Sequence, residues 1–351
     1  MEQFGRVDCQ VGRKTTSNKT RQQPTKFPEG KIMSRTALCS IRLCSQPRFD
    51  RPQLLTRNRR RAKGLRASAN GFAELVKWVD FHGGYVHPYL TVGESPVTGV
   101  RGVISESDLS ADDVLDGPLI MIPDQLRITE STAVQKLNPL MEPLGLPSVQ
   151  MLSCETQVAL LLAHEKAKGQ KSMWFPYIEM LPKEPPCGWM WSDEKLETFF
   201  STLPVDKGKW LKEFAGLRKI QLQSLESDIE DALEEFGDVV RVSEQELMWC
   251  LGQVKSRAYS AGSQGAGVAL NPVVDLINHS FMALPPLGMI VEDTPMTCVG
   301  TVDELPAGNE LFVNYAFSPE ESPLATFLEF GFVPEELLAD SSKDGGKKAL
   351  F

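Results

Sequence analysis

The sequence predicts an α+β chain in which two stretches of short strands flank a helical insert of roughly 110 residues, far too long for a plain loop. Three observations carry this. Short apolar runs broken by turn residues fill 69–143 and return in 256–335. Between them, 144–255 places apolar residues at helical spacing behind cap-forming residues. No internal repeat and no low-complexity tract occurs beyond a basic leader, 1–68.

Taken in order, Phe72, Leu75, Val76 and Val79 recur at helical spacing, and Gly83–Gly84 supplies the stop. Strand-like runs follow at Pro88 to Val92, Gly102–Val103–Ile104 and Pro118 to Pro123. In the insert, Val158 to Leu162 sit in an apolar helix that ends in a basic, Gly-containing stretch through Lys171. Ser192 followed by Asp193 and Glu194 reads as an N-cap with acids on the first turn. Trp210, Phe214, Leu217, Leu225, Ile229 and Phe236 mark a long amphipathic helix. Ser243 with Glu246 fits a capping box that opens a helix through Trp249 and Leu251. Strand texture returns at Val268–Leu270, Val273–Val274, Met289–Val291 and Glu310–Val313, and 336–351 reads as a polar tail.

Composition narrows the class. The 351 residues are 42% hydrophobic and 24% charged, enough to bury a sizeable core. No apolar run approaches the roughly 18 residues a membrane-spanning helix needs, so no membrane partner is expected. Seven cysteines (9, 39, 44, 154, 187, 250, 298) form no C-x-x-C pair, which argues against structural zinc or a disulfide framework. The four histidines show no paired ligand spacing, so no metal is expected.

The net charge of −9 hides an asymmetry. Residues 1–68 hold 17 Lys and Arg against four acids, a net of +13, whereas 69–351 carries −22. An Arg-rich, acid-poor leader on an acidic body is the pattern of an organellar transit peptide, with cleavage near Arg66–Ala69. A disordered basic tail and a nucleic-acid-binding arm are the other readings of that segment. The transit reading puts the mature protein in an organelle, the chloroplast stroma before the mitochondrion by the resemblance given below, and no nucleic-acid partner is expected.

Four segments carry chemistry. Asn271-Pro-Val-Val-Asp-Leu-Ile-Asn-His-Ser280 is an apolar run with one acid, Asp275, that delivers Asn278 and His279 to a polar turn. About 30 residues on, Gly308-Asn-Glu-Leu-Phe-Val-Asn-Tyr-Ala316 leads from an acidic turn into a strand ending on Tyr315. Phe327-Leu-Glu-Phe-Gly-Phe-Val333 is an aromatic cluster, and Gly99-Val-Arg-Gly102 is a turn permitting close backbone approach. Each alone has a bland reading: turn chemistry, a core tyrosine with a wet hydroxyl, a core cluster, an ordinary turn.

In this order the four segments resemble the SET-domain protein methyltransferases, in the branch with a long helical insert typified by the Rubisco large-subunit lysine methyltransferase. The likeness runs from about 71 to 335 and includes Trp174-Phe-Pro-Tyr-Ile-Glu-Met-Leu-Pro182 and Val254-Lys-Ser-Arg-Ala-Tyr259. It implies a SET fold, small curved sheets with a pseudoknot formed by the NHS and Tyr315 segments. It also implies S-adenosyl-L-methionine as cofactor and transfer of methyl to a lysine of a plastid protein, with the Rubisco large subunit or fructose-bisphosphate aldolase as candidates. By the same resemblance Gly99, Val100, Arg101, Arg257, Asn278 and His279 would hold the cofactor. Ser256, Arg257, Asp275, Tyr315, Phe330 and Phe332 would line the substrate side, with Asp275 facing the incoming side chain and Tyr315 at the methyl-transfer channel.

Some positions depart from the family pattern. Val100 replaces the first glycine of the usual G-x-G, Ala316 replaces a glycine, Pro323 an Asn, and Phe330 a Tyr. The last change favours multiple over single methylation. Family members continue into a further helical substrate-binding domain, which is expected to be missing here. The chain is expected to be monomeric. A histidine acceptor, or a non-catalytic binding module, are the alternative readings.

Overall fold

The computed structural model describes residues 65–95, 99–260, 267–316, 322–334 and 336–338. The transit-peptide reading of the leader therefore falls almost entirely outside the described residues. The first helix, α1 (Leu65–Phe81), begins four residues ahead of the expected mature start and buries Phe72, Leu75 and Val79. It ends, as its glycines require, with Gly83 at φ 84°.

The first strand-rich part contains β1 (Tyr85–Val86), β2 (Leu90–Glu94), β3 (Arg101–Ser105), α2 (Ala111–Leu115), β4 (Ile120–Pro123) and β5 (Ile128–Thr129). Helical structure then starts earlier than the apolar spacing indicates, with α3 (Glu130–Met141) capped by the Thr129 hydroxyl and packed on α4. Its sequence, with Pro139 inside and few apolar residues, gives little periodic signal. The insert continues through α4 (Cys154–Ala167), α5 (Phe175–Ile178), α6 (Asp193–Thr202), α7 (Lys207–Val240) and α8 (Glu244–Arg257). Strands β6 (Tyr259–Ser260), β7 (Val268–Leu270), β8 (Asn278–His279), β9 (Leu287–Val291), β10 (Thr294–Val299) and β11 (Glu310–Val313) follow, then α9 (Pro323–Phe330).

The strands form three small sheets, in orders β1-β4-β10-β9, β2-β3-β11-β8 and β5-β7-β6. Every pairing is antiparallel except one: β8 runs parallel to β11, with Asn278 opposite Phe312 and His279 opposite Val313. Strand β9 is a sheet edge, and its Leu287, Met289 and Ile290 are exposed.

The insert organises itself around α4. Residues 156–163 are buried on all sides of this helix, which packs against α3, α7 and α8, and a helix apolar all round belongs at the centre of a bundle. The expected caps form: Ser192 on α6, and a reciprocal Ser243–Glu246 box on α8. All the positions expected on the buried stripe of α7 are buried except Leu217, which is partly so.

The aromatic cluster at 327–333 is where the sequence is least explicit, because its first half is helical. Phe327 of α9 stacks on Phe199 with ring centres 4.6 Å apart. Trp191, Phe200 and Phe214 surround it at 5.2, 5.1 and 5.2 Å. Gly331 caps α9 at φ 73°, and a Cβ there would stand 1.8 Å from the Pro186 carbonyl oxygen, so only glycine closes this helix. Phe327, with buried Leu324 and Leu328, thus fastens α9 to the insert. Phe327→Ala should lower the unfolding free energy by about 4 kcal/mol, read from denaturant-induced unfolding of the variant and wild type.

Candidate active site

The strand pair β8–β11 brings two distant segments together, and side chains lock it on both sides. Asn278 Nδ2 donates to the Arg101 carbonyl (3.2 Å) and to Glu310 Oε1 (2.6 Å), tying β8 to the first residues of β3 and β11. Glu310 is buried and also receives the Ser95 hydroxyl. Burial pushes its carboxyl up, while the Ser95 and Asn278 bonds pull it down. Gly102 leaves the room this needs: a Cβ there would stand 2.0 Å from Glu310 Oε1 and 2.9 Å from Asn278 Nδ2. The Asn278 amide expected to reach a ligand therefore spends its N–H bonds on the protein and keeps its oxygen to offer.

On the other side, the Tyr315 main-chain N–H donates to His279 Nδ1 at 3.1 Å, which fixes that nitrogen as an acceptor. Burial holds the imidazole pKa below its ordinary value, consistent with a neutral ring. The Tyr315 hydroxyl donates to the Ile277 carbonyl at 2.7 Å. Burial raises its pKa well above that of free tyrosine, against the pull of Arg257, so the group stays a neutral phenol.

A cavity of about 430 Å³ opens beside this junction. Its wall includes Tyr315, Tyr259, Phe330, Arg257, Ser256 and Asp275, together with Asn271, Arg127 and, from β9, Gly288. Tyr259 meets Tyr315 edge-on at 5.7 Å, and Phe330 lies 5.8 Å from it. The last turn of α8 ends here, and the carbonyls of a helix's last turn have no intrahelical partner. Ser256 contributes main chain, because its hydroxyl turns back to the Gly252 carbonyl at 2.7 Å.

The insert closes the site from behind. Arg257 Nε donates to Gln253 Oε1 (3.1 Å), and Gln253 in turn donates to the Pro182 carbonyl (2.7 Å). Arg101 Nη1 donates to the Met180 carbonyl at 3.0 Å. Burial lowers the Arg101 pKa, and the neighbouring Arg257 charge lowers it further, with Asp275 opposing both. Arg101 and Arg257 thus share this interior with Asp275, and Glu310 is a second buried carboxylate nearby.

The Asp275 side chain is 0% exposed, accepting from the Tyr177 hydroxyl at 2.8 Å and lying 3.7 Å from Arg257 Nη1. Its main-chain carbonyl accepts from Arg257 Nη1 at 2.9 Å. A carboxylate buried this fully needs such a phenol and guanidinium at hand. The neighbouring Val273–Val274, expected as strand, is a tight turn with Val273 at φ 69°. A β-branched residue held there costs about 1–3 kcal/mol.

Phe332 does not line the cavity; it backs His279 and Tyr315 at 6.3 and 6.5 Å. Gly99, Val100, Arg101, Asn278 and His279 also lie outside that wall, grouped around the β8–β3 tie. The sequence reading gave no role to Glu310, Tyr177 or Gln253. Tyr177 carries a signal, since it lies within the Trp174–Pro182 segment that marks the resemblance, whereas Glu310 reads only as the start of the Glu310–Val313 strand run that follows an acidic turn. Gly102→Ala should destabilise the protein by about 2 kcal/mol, measured by thermal and denaturant unfolding.

No protein-family model matches the chain. Among curated proteins it is 24% identical, over 272 residues, to the chloroplastic ribulose-1,5 bisphosphate carboxylase/oxygenase large subunit N-methyltransferase of Pisum sativum. That alignment covers 73% of this chain and 50% of the pea protein. It is 25% identical over 274 residues to human SET domain-containing protein 4, covering 75% of this chain and 58% of that protein. The chain thus spans about half the length of the curated relatives it matches first. Among solved structures, the SET domain of LSMT bound to lysine and AdoHcy superposes with a TM-score of 0.59 at 18% identity, over 78% of this chain and 58% of that one. The chain is therefore similar in sequence to SET-domain proteins of the Rubisco large-subunit methyltransferase kind, and its fold is the SET fold with a long helical insert.

Proposed function

We propose that the chain is an S-adenosyl-L-methionine-dependent protein-lysine N-methyltransferase. The observation that carries this reading is the junction itself: a neutral tyrosine hydroxyl, a helix end and an aromatic wall meet at one cavity, with β8 and β11 knitted beside it. The likeness to an LSMT domain bound to lysine and AdoHcy supports it.

The residues present suit such a cofactor. Gly99 lies at φ 67° with open space where a Cβ would stand, so the 99–101 turn admits close approach. The Arg257 guanidinium suits a carboxylate, and the Asn278 amide oxygen and the His279 main chain suit an amino group and a base edge. When bound, the cofactor supplies an electrophilic methyl group on a sulfonium. Gly99, Val100, Arg101, Arg257, Asn278 and His279 would hold it.

What the chain must then do is align and desolvate. The aromatic faces of Tyr259, Tyr315 and Phe330 exclude water from an alkyl amine side chain. A lysine must arrive neutral to attack, and a water-poor cavity beside the Arg257 guanidinium disfavours an ammonium. The Tyr315 proton is committed to Ile277, and its oxygen, which also receives the Tyr259 hydroxyl, can accept a further amine N–H or polarised methyl C–H. A strong base is not required of it, and its raised pKa suits that role.

The acceptor is taken to be a plastid protein, with the Rubisco large subunit and fructose-bisphosphate aldolase as candidates. The chloroplastic pea and tobacco relatives and the Arg-rich leader support a plastid, where 1–68 would act as the transit segment. Incubating the protein with labelled S-adenosylmethionine and stromal extract, then sequencing the labelled band, tests this; a labelled lysine in one of the two is expected. Tyr315→Phe should lower kcat about 100-fold while calorimetry finds cofactor affinity within about threefold of wild type. Equal losses in both would make Tyr315 structural.

A further inference from the structure

The turn at 274–277 does more than connect β7 to β8. Two of its main-chain carbonyls hold cavity side chains and a third faces one. The Val274 oxygen faces the Tyr259 hydroxyl at 3.5 Å, the Asp275 oxygen accepts from Arg257 at 2.9 Å, and the Ile277 oxygen accepts from Tyr315 at 2.7 Å. The turn is entered through Val273 in a conformation that valine resists. A turn that stores strain persists only where its surroundings over-determine it.

Val273, Val274, Leu276 and Ile277 are buried in the core, and one hydroxyl reaches the turn's carboxylate from the insert. Tyr177, 98 residues away in the insert and 0% exposed, donates to Asp275 Oδ2 at 2.8 Å. The Arg257 nitrogen at 3.7 Å is too far to be hydrogen-bonded to that carboxylate. Asp275 Oδ1 is buried and has no hydrogen-bond partner among the described residues. The phenol of Tyr177 is the one side-chain hydrogen-bond donor to the carboxylate among the described residues, and there the turn's one side-chain hydrogen bond to α5. The rest of the Trp174–Pro182 segment is anchored separately: Trp174 Nε1 donates to the Leu126 carbonyl at 2.9 Å, and the Met180 carbonyl receives Arg101. The tyrosine is thus presented from a fixed support.

We infer that Tyr177 is a positioning residue of the site, pinning the strained 273–277 turn so that its carbonyls hold the Tyr315 hydroxyl and the Arg257 guanidinium in register. This rests on the methyltransferase reading for its consequence, though the pin itself does not. Arg257 has a second hold in Gln253, so loss of the pin reaches Tyr315 first, and turnover more than cofactor affinity.

Two double-variant cycles on the full chain decide it. In unfolding experiments, Tyr177→Phe and Asp275→Asn should be non-additive, the double variant melting no lower than the more harmful single one. Simple additivity would overturn the pin, whether or not the protein transfers methyl groups. In turnover, Tyr177→Phe, which removes one oxygen and leaves the ring, should lower kcat about tenfold with cofactor affinity within about threefold. In the Tyr315→Phe background it should cost less than about twofold further. A full tenfold loss in that background, a parallel fall in kcat and affinity, or no loss would show that Tyr177 only fills space. A wild-type protein that neither binds S-adenosylmethionine nor transfers its methyl would sink the functional reading instead, leaving the unfolding cycle to judge the pin.

Discussion

Two residues of parallel strand pairing hold the site together. Phe312 with Asn278 and Val313 with His279 join segments more than 30 positions apart, in a sheet whose other pairings are antiparallel. A two-residue ladder is weak by itself, since parallel pairing is slightly the poorer kind per residue. It persists because side chains on both flanks repeat the connection: Asn278 to Arg101 and Glu310 on one, His279 to the Tyr315 backbone on the other. In the SET fold this is where the pseudoknot closes, so these bonds keep the phenol and the amide in one neighbourhood.

The electrostatics of the interior follow from the same economy of partners. Arg101 and Arg257 are brought close by elements that are far apart in sequence, and Asp275 is the carboxylate that attracts both. Burial raises the Asp275 pKa, with Arg257 and then the Tyr177 bond opposing it. A buried ion group of this kind is a poor source of net stability, because desolvation offsets most of the attraction. Its value here is directional: the guanidinium of Arg257 is held at the cavity wall by a carbonyl, an amide and a carboxylate at once.

How much of this was legible in the sequence depends on how local the determinant is. Capping at Ser192 and Ser243 is decided within four residues, and both caps form as read. The buried stripe of α7 is set by spacing alone and was equally readable. The motif strings announced the SET fold, and with it the meeting of Tyr315 with the NHS segment. Spacing could not show what Asp275 bonds to, because the answer lies in a phenol from the insert. Nor could it show that Glu310 is buried, because its partners Ser95 and Asn278 arrive from other strands. Helix α3 escaped notice because Pro139 and a mixed composition hide its period, and 273–274 looked like strand because valine is a strand former whose backbone here is bent against preference.

The short helix α9 has a mechanical consequence. Phe327 is clamped among the insert's aromatic rings, and Phe330, one helical turn on, stands in the cavity wall. Another part of the wall is Gly288 of β9, an edge strand with exposed side chains. The wall thus has one fixed side and one free side. Repacking deep in the insert is transmitted to the fixed side within a single turn, whereas the free side can change its residues without disturbing the bundle.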